Sequence, residues 1–278
     1  MLIVIGDLVA DLIVLGGADL ERGTDNPAEI RLTRGGSAAN VAVAAAPRHP
    51  VRFIGRVGDD TLGRALVGEL EAAGVEVRVQ RAGRTGSIVV LVDAVGERTM
   101  ITDRGAAAEL DGIDPAWLDG ARWLHLPLYG FAVARSRDAL RDAATRAAAG
   151  GARVSLDLSS VATMRGLGGA LLQRILDEVR PDVVFANDDE ARTSVELGLE
   201  IRGVSVVKRG PAPVRLTVDG VASEVAVDHV EDVLDSTGAG DAFAAGYITA
   251  ALAGADAHAS ARAGSALAMS ALRRPGAL

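Results

Sequence analysis

The stretch Asp235-Ser-Thr-Gly-Ala-Gly-Asp-Ala-Phe-Ala-Ala-Gly246 sets two glycines and a carboxylate at the start of a segment whose apolar residues Phe243, Tyr247 and Ala250 have helical spacing. Backbone N–H groups at a helix start lack intrahelical acceptors, and the helix dipole adds positive partial charge there. Such a turn can hold an anion. Gly238 and Gly240 admit close approach to the backbone, so with Ala239 they form a candidate amide cradle. Asp241 falls in the first helical turn, where the dipole favours the ionised form by about 0.3–1 kcal/mol. Amides that stabilise a moving phosphoryl group, beside a carboxylate that accepts the proton of an attacking hydroxyl, are the equipment of phosphoryl transfer. On these residues alone, a first-turn acid behind a glycine turn reads equally well. A dinucleotide fingerprint does not fit, because Gly238-x-Gly240-x-x-Phe243 lacks the third small residue and lies outside a first βαβ unit.

Composition removes several other chemistries. The chain has 278 residues and no cysteine, which excludes thiolate nucleophiles, CxxC redox pairs and Cys-based metal sites. Of its 29 basic residues one is lysine, Lys208, and the rest are arginine. Lys208 is followed by Arg209, so there is no P-loop. A net charge of −8 and 3% aromatic residues argue against a nucleic-acid surface. No apolar run reaches the roughly 20 residues needed to cross a bilayer, so no membrane partner is expected. The segment Met1–Gly6 starts as a strand without a basic leader, which predicts a cytoplasmic protein. His49, His125, His229 and His258 have no metal-ligand spacing, and no Gly-x-Ser-x-Gly elbow occurs.

The elements that must position these residues alternate between short apolar runs and Ala-rich helical stretches, the pattern of a parallel sheet covered by helices. Strands are expected at Leu2–Gly6, Val51–Val57, Trp123–Leu128, Arg153–Leu158, Val183–Ala186 and Val204–Lys208. Helices are expected at Ser37–Ala46, capped near Ser37, and at Thr61–Ala73, Ser136–Ala149, Gly169–Val179 and Asp189–Gly198, with two more starting at Gly238 and Asp256. Asp219-Gly220 marks a hairpin between Val214–Val218 and Val221–Val227. Residues 11–33 and 75–103 break the rhythm with short strands and turns, which predicts a small antiparallel sheet acting as a lid.

Asp235-Ser-Thr-Gly-Ala-Gly-Asp-Ala-Phe243 resembles the C-terminal signature of the PfkB, or ribokinase-like, carbohydrate kinases. Gly35-Gly-Ser-Ala-Ala-Asn-Val-Ala42 is similar to their N-terminal signature. Gly55-Arg-Val-Gly-Asp-Asp-Thr-Leu-Gly63 and Asp103-Arg-Gly-Ala106 agree as well, and the likeness runs from residue 1 to about 272. The resemblance implies one kinase domain over residues 1–278, a three-layer α/β/α sandwich with a small β-sheet lid, and ATP-dependent phosphorylation of an alcohol. It makes Asp241 the catalytic base and the amides of Gly238, Ala239 and Gly240 the anion hole. Asn187-Asp-Asp-Glu190 matches the family's Asn-x-x-Glu motif, implying Mg²⁺ organised by Glu190 through water; taken alone, the cluster reads as a capped helix start. Lys208 and Gly210 fall at a strand-end turn beside the nucleotide, where a lysine meets phosphate as a point charge. The plain alternative is a solvated strand end. Asp235 and the carbonyl of Thr237 match a monovalent-cation site that would take K⁺.

The acceptor falls by resemblance to Gly35, Gly36, Asn40 and Asp11, whose carboxylate would hold a vicinal diol. A turn aspartate is the structural alternative for Asp11. Two departures bear on substrate: Val9 stands where ribokinases carry Asn, and Leu124-His-Leu-Pro-Leu-Tyr129 lacks their glutamate, leaving His125 and Tyr129 either to touch a ring or base or to be buried structural residues, a reading at least as good. The expected partner is a small sugar or nucleoside, and a homodimer formed through the lid edge is expected because unpaired strand edges seek partners. A non-catalytic sugar- or nucleotide-binding protein that retains the fold is the alternative function.

Overall fold

The computed structural model of the protein describes residues 1–16, 20–93, 98–228, 233 and 236–273. Seven strands form a parallel core, apolar except at the edge strand β5: β1 (Leu2–Ile5), β4 (Val51–Val57), β5 (Glu76–Arg81), β8 (Trp123–Pro127), β9 (Arg153–Asp157), β10 (Val183–Asn187) and β11 (Val204–Arg209). β12 (Ala212–Val218) and β13 (Val221–Val225) extend it antiparallel, in the order β13-β12-β11-β10-β9-β8-β1-β4-β5.

Both faces are buried, as continuous apolar runs require. Leu2, Val4, Phe53, Phe185 and Val206 pack on one side with α1 (Ser37–Ala45), α2 (Thr61–Ala72), α7 (Ala239–Leu252) and α8 (Ala257–Leu272). Ile3, Ile5, Ile54, Leu126 and Val184 point the other way, toward α3 (Ala134–Ala149), α4 (Val161–Leu167) and α5 (Gly169–Val179). This is the expected α/β/α sandwich. α6 (Asp188–Glu196) starts directly after β10.

A second sheet has the order β3-β2-β6-β7, from β2 (Val9–Leu15), β3 (Glu29–Gly35), β6 (Thr85–Val92) and β7 (Arg98–Gly105). Two expectations about it are corrected. β2 and β6 run parallel, Asp11 opposite Ile88, so the sheet is mixed rather than antiparallel. Residues 76–81, inside the expected second lid segment, instead form β5 on the edge of the large sheet beside β4. The intervening α2 supplies the crossover that such a parallel pair needs.

α7 also differs from expectation. It is buried on nearly every face, from Ala242 through Thr249, rather than amphipathic, and Ala250 is only half-buried. It lies between α1 and α8. Gly246 faces the α8 backbone so closely that a Cβ would come within 2.7 Å of the Ala263 carbonyl. Phe185 of β10 meets Phe243 and Tyr247 edge-on at 6.3 and 5.2 Å between ring centres. Such pairs contribute about 0.5–1.5 kcal/mol each beyond area burial, and they fix the N-terminal turn of α7 over the strand ends.

Candidate active site

The first turns of α1 and α7 meet at Asp241. Its Oδ1 accepts a hydrogen bond from the Ser37 hydroxyl at 2.6 Å, and its Oδ2 accepts one from the Asn40 amide at 3.0 Å. Ser37 was expected to cap α1. The cap position belongs to Gly36, which frees the Ser37 hydroxyl to point across to α7. Gly36 sits at φ 101°, and a Cβ there would lie 2.3 Å from the Asp7 carbonyl, so only glycine lets the chain turn into the helix at this place. Gly238 plays the matching part at α7, with φ 74°. The Ala239 N–H closes a turn onto the Ser236 carbonyl at 3.3 Å, and the first helical bond runs from the Ala242 N–H to the Gly238 carbonyl.

Burial pushes the Asp241 carboxyl up to about 6; the Ser37 and Asn40 bonds and Lys208 oppose that rise, while Asp157 adds to it. The group is therefore ionised at neutral pH yet basic enough to take a proton.

Asp11, on β2, lies against the same place. Burial also pushes it up to about 6, Arg34 pulls it down and the charge of Asp241 pushes it up. Its carboxylate packs on Gly35, where a Cβ would fall 2.1 Å from Oδ1. That Oδ1 is buried without a hydrogen-bond partner among the described residues, an acceptor left open to a hydroxyl donor.

The C-terminal ends of the parallel strands supply the opposite wall, where open α/β sheets bind their ligands. Asp157 ends β9, Asn187 ends β10, and Lys208 pairs with Asn187 in register on β11. Lys208 Nζ donates to Asp157 Oδ2 at 2.7 Å. The same ammonium lies 3.4 Å from where a Cβ of Gly240 would stand, so it faces the glycine turn. Burial alone would lower the Lys208 pKa, but Asp157 and Glu190 outweigh it and hold the ammonium above its ordinary value.

Asn187 and Glu190 form a capping box: Glu190 N–H donates to Asn187 Oδ1 at 2.8 Å, and Asn187 N–H donates to Glu190 Oε2 at 2.8 Å. The plain structural account of this pair thus holds, but it is not complete. Glu190 is 3% exposed, and burial, with Asp157 adding to it, pushes its carboxyl up to about 7. A buried carboxylate at this pKa beside a second one favours a cation, and because both Glu190 oxygens accept bonds from Asn187, contact through water suits it. Among the described residues no cluster of three or more metal-ligating side chains occurs, so this pair could meet a magnesium ion only through water.

From the lid, Arg104 pairs with the buried Asp7 and lies 4.2 Å over the Tyr129 ring. Tyr129 donates to the Ser159 carbonyl at 3.1 Å. The lid is pinned where β6 begins: Asp60, the cap of α2, accepts from the Thr85 N–H at 2.8 Å, the Thr85 hydroxyl at 2.6 Å and the Gly63 N–H at 2.7 Å.

Sequence reasoning thus meets the structure unevenly. Asp241, Asn40, Asp11, Gly35, Gly36, Gly238, Ala239, Gly240, Lys208 and Glu190 converge. Gly210 occupies the turn between β11 and β12 at φ 58° with open space around it. Asp235 lies outside the described residues, so the Asp235–Thr237 cation site has only Thr237 within them. His125 is fully buried, its Nδ1 2.8 Å from the Ser155 hydroxyl and its ring 5.9 Å from Phe185. Burial lowers it to about 4, so it is neutral and structural. Sequence reasoning missed Asp157, Asp7 and Arg104. An acid ending an apolar strand was the available signal for Asp157.

Residues 1–278 match the profile of the pfkB family carbohydrate kinases. An ATP-dependent ribose-1-phosphate kinase from Halopiger xanaduensis is 34% identical over 239 residues, spanning 81% of this chain and 76% of the relative. A fructokinase from Klebsiella pneumoniae is 31% identical over 267 residues, 88% of this chain and 82% of the relative. Among solved structures, adenosine kinase from Sinorhizobium meliloti matches with a TM-score of 0.86 at 22% identity, covering 99% of this chain and 94% of that one. Fructokinase from Xylella fastidiosa with bound ATP matches with a TM-score of 0.85 at 24% identity, covering 99% and 93%. With both signature segments folded onto one site and the whole length matched, the chain belongs to the pfkB family of carbohydrate kinases and is a phosphotransferase of ribokinase-like fold.

Proposed function

We propose that this protein transfers the γ-phosphoryl group of ATP to a hydroxyl of a sugar or nucleoside, with Asp241 as general base and the amides at 238–240 as anion hole, all within one domain over residues 1–278. The observation that carries this reading is the Asp241 carboxylate, pushed up to about 6 and aimed by Ser37 and Asn40 at the glycine-started turn of α7. The ATP-dependent ribose-1-phosphate kinase of Halopiger and the fructokinase of Klebsiella, as relatives, support both ATP and a sugar acceptor.

Asp11 and Asn40 hold the acceptor, with Asp11 Oδ1 taking a hydroxyl proton in a hydrogen bond. Asp241 then accepts the proton of the attacking oxygen as the phosphoryl group moves in line. Lys208 meets the phosphates as a compact charge, and Gly210 leaves room for the nucleotide. Glu190 and Asn187 would hold Mg²⁺ through water, and that ion would offset phosphate charge. The lid sheet closes over the acceptor and excludes water.

The test is acceptor-dependent ADP release over a panel of sugars, sugar phosphates and nucleosides. Release above the acceptor-free rate for at least one of them is expected; ATP binding with no acceptor-dependent release would favour a binding protein. Two further outcomes follow. Lys208→Ala raises the ATP KM about 10-fold or more, the scale of one charge-assisted contact, without abolishing turnover. Because the base must be ionised, kcat/KM rises with pH through about 6 and levels above it, a limb read directly from a pH–rate profile.

The homodimer belongs to the same proposal. Ile30 and Leu32 on edge strand β3 and Ile101 on edge strand β7 are 63%, 63% and 60% exposed. Leu32, Leu12, Val89 and Ile101 stand in one row across the lid. An apolar face of this kind marks an interaction surface. Leu32→Glu is expected to convert a dimer to a monomer in light scattering; a monomeric parent protein would remove this part of the proposal.

A further inference from the structure

A chain that uses arginine everywhere else keeps one lysine, and its surroundings explain the choice. Lys208 Nζ fits between Asp157 and the Gly240 backbone, 2.7 Å from one and 3.4 Å from a Cβ position of the other. A compact ammonium suits that gap; a planar guanidinium fork does not. Something must hold the ammonium there, because Glu190 and Asp241 also attract it.

The turn after β9 is built for that. Asp157 Oδ2 takes the lysine while Oδ1 accepts the Ser159 N–H at 2.8 Å, so the carboxylate is aimed by its own backbone. Ser159 adopts φ 56°, a left-handed conformation that a non-glycine residue holds only when its surroundings over-determine it. The determinants are visible: the Ser159 hydroxyl donates to the Asp157 carbonyl at 2.9 Å, Tyr129 donates to the Ser159 carbonyl at 3.1 Å, and Ser160 caps α4 through the Thr163 N–H at 3.2 Å.

We propose that Asp157, fixed by the Asp157–Ser160 turn, is a positioning residue that keeps the Lys208 ammonium at the glycine turn of α7 and away from the Asp241 carboxylate. It touches neither acceptor nor nucleotide and acts through Lys208. The inference rests on the phosphate-site role given to Lys208 above.

The test compares the full-length parent, Asp157→Asn, Lys208→Ala and the double variant, each assayed with MgATP and an active acceptor. Asp157→Asn is expected to raise the ATP KM about as much as Lys208→Ala, and to add less than 2-fold when Lys208 is already gone. The acid limb of the kcat profile moves below about 6 in Asp157→Asn and in the double variant, because the Asp157 charge that raises Asp241 is gone, and it moves further with Lys208 present, because the released ammonium turns toward Asp241. The acceptor KM stays within 2-fold. Should Asp157→Asn not fold, Asp157→Glu keeps the charge but lengthens the reach, and it is expected to raise the ATP KM at an unchanged Tm. Fully multiplicative effects in the double variant, or a parental ATP KM and pH limb in Asp157→Asn or Asp157→Glu, overturn the inference alone. An unchanged ATP KM in Lys208→Ala overturns the phosphate-site role beneath it as well.

Discussion

Asp241→Asn is expected to lower kcat by about 10²–10⁴-fold, the usual range for loss of a general base, while ATP affinity stays near that of the parent. The asparagine keeps the shape and can still accept the Ser37 hydroxyl, but its amide nitrogen faces the Asn40 amide, so the capacity to take a proton disappears together with the Asn40 bond. The split between turnover and binding is the informative part. A variant that lost nucleotide affinity as well would point to a structural part for Asp241 in setting the two helix starts. Parental kcat would remove Asp241 from the chemistry. The check is steady-state kinetics at pH 8, well above the limb near 6, paired with a direct ATP-binding measurement.

The second large effect falls on the acceptor. Asp11→Ala removes a buried carboxylate whose Oδ1 has no partner among the described residues, so its loss deprives the acceptor, while Arg34 loses a neighbouring opposite charge. Hydrogen bonds to a charged group contribute about 1.5–3 kcal/mol each. Losing two to a diol would lower kcat/KM for the acceptor about 10²-fold or more, with the ATP KM unchanged. The effect should separate cleanly from that of Lys208→Ala, which acts on ATP. If Asp11→Ala left acceptor kcat/KM within 2-fold, the substrate would have to be placed elsewhere on the lid. Removing this carboxylate should also remove one source of instability that grows as pH rises toward 6. A carboxyl raised to about 6 binds a proton on folding between its ordinary value and 6, so its contribution opposes stability as pH rises through that window.

How much of this was legible depended on the range of the interactions involved. The core runs Leu2–Ile5 and Val183–Ala186 are uninterruptedly apolar, and runs buried on both faces have no other home than a covered parallel sheet. The two glycine-started helices were legible because Gly36 and Gly238 serve local backbone needs that only glycine meets. The β2–β6 pairing was not, because residues 9–15 and 85–92 meet across a long sequence separation and nothing in either strand specifies a parallel partner. Nor was the assignment of β5, since a half-polar run such as Glu76–Arg81 suits a lid strand and a sheet edge equally well.

At the site, motif residues were found and their supports were missed. Asp241 and Asn40 stand in recognisable signatures, whereas the contact between them spans two helices and is a product of the packing of α1 on α7. Ser37 looked like a cap because a serine before a helix usually is one; the left-handed Gly36 shifted that role by one residue. Asp157 carries no motif, and its role comes from a strained turn and the reach of one distant lysine. His125 could have reached a ring or stayed buried as a structural residue, and the fold takes the second course, leaving it no exposed surface.

The central claim is that this site moves the γ-phosphoryl group of ATP onto an acceptor hydroxyl. Phosphorus NMR of the protein incubated with MgATP and each member of the acceptor panel tests it most directly. A new phosphate-ester resonance growing with ADP, and absent with Asp241→Asn, is the predicted result. Bound nucleotide with ADP and inorganic phosphate as the only products, across sugars, sugar phosphates and nucleosides alike, would contradict it.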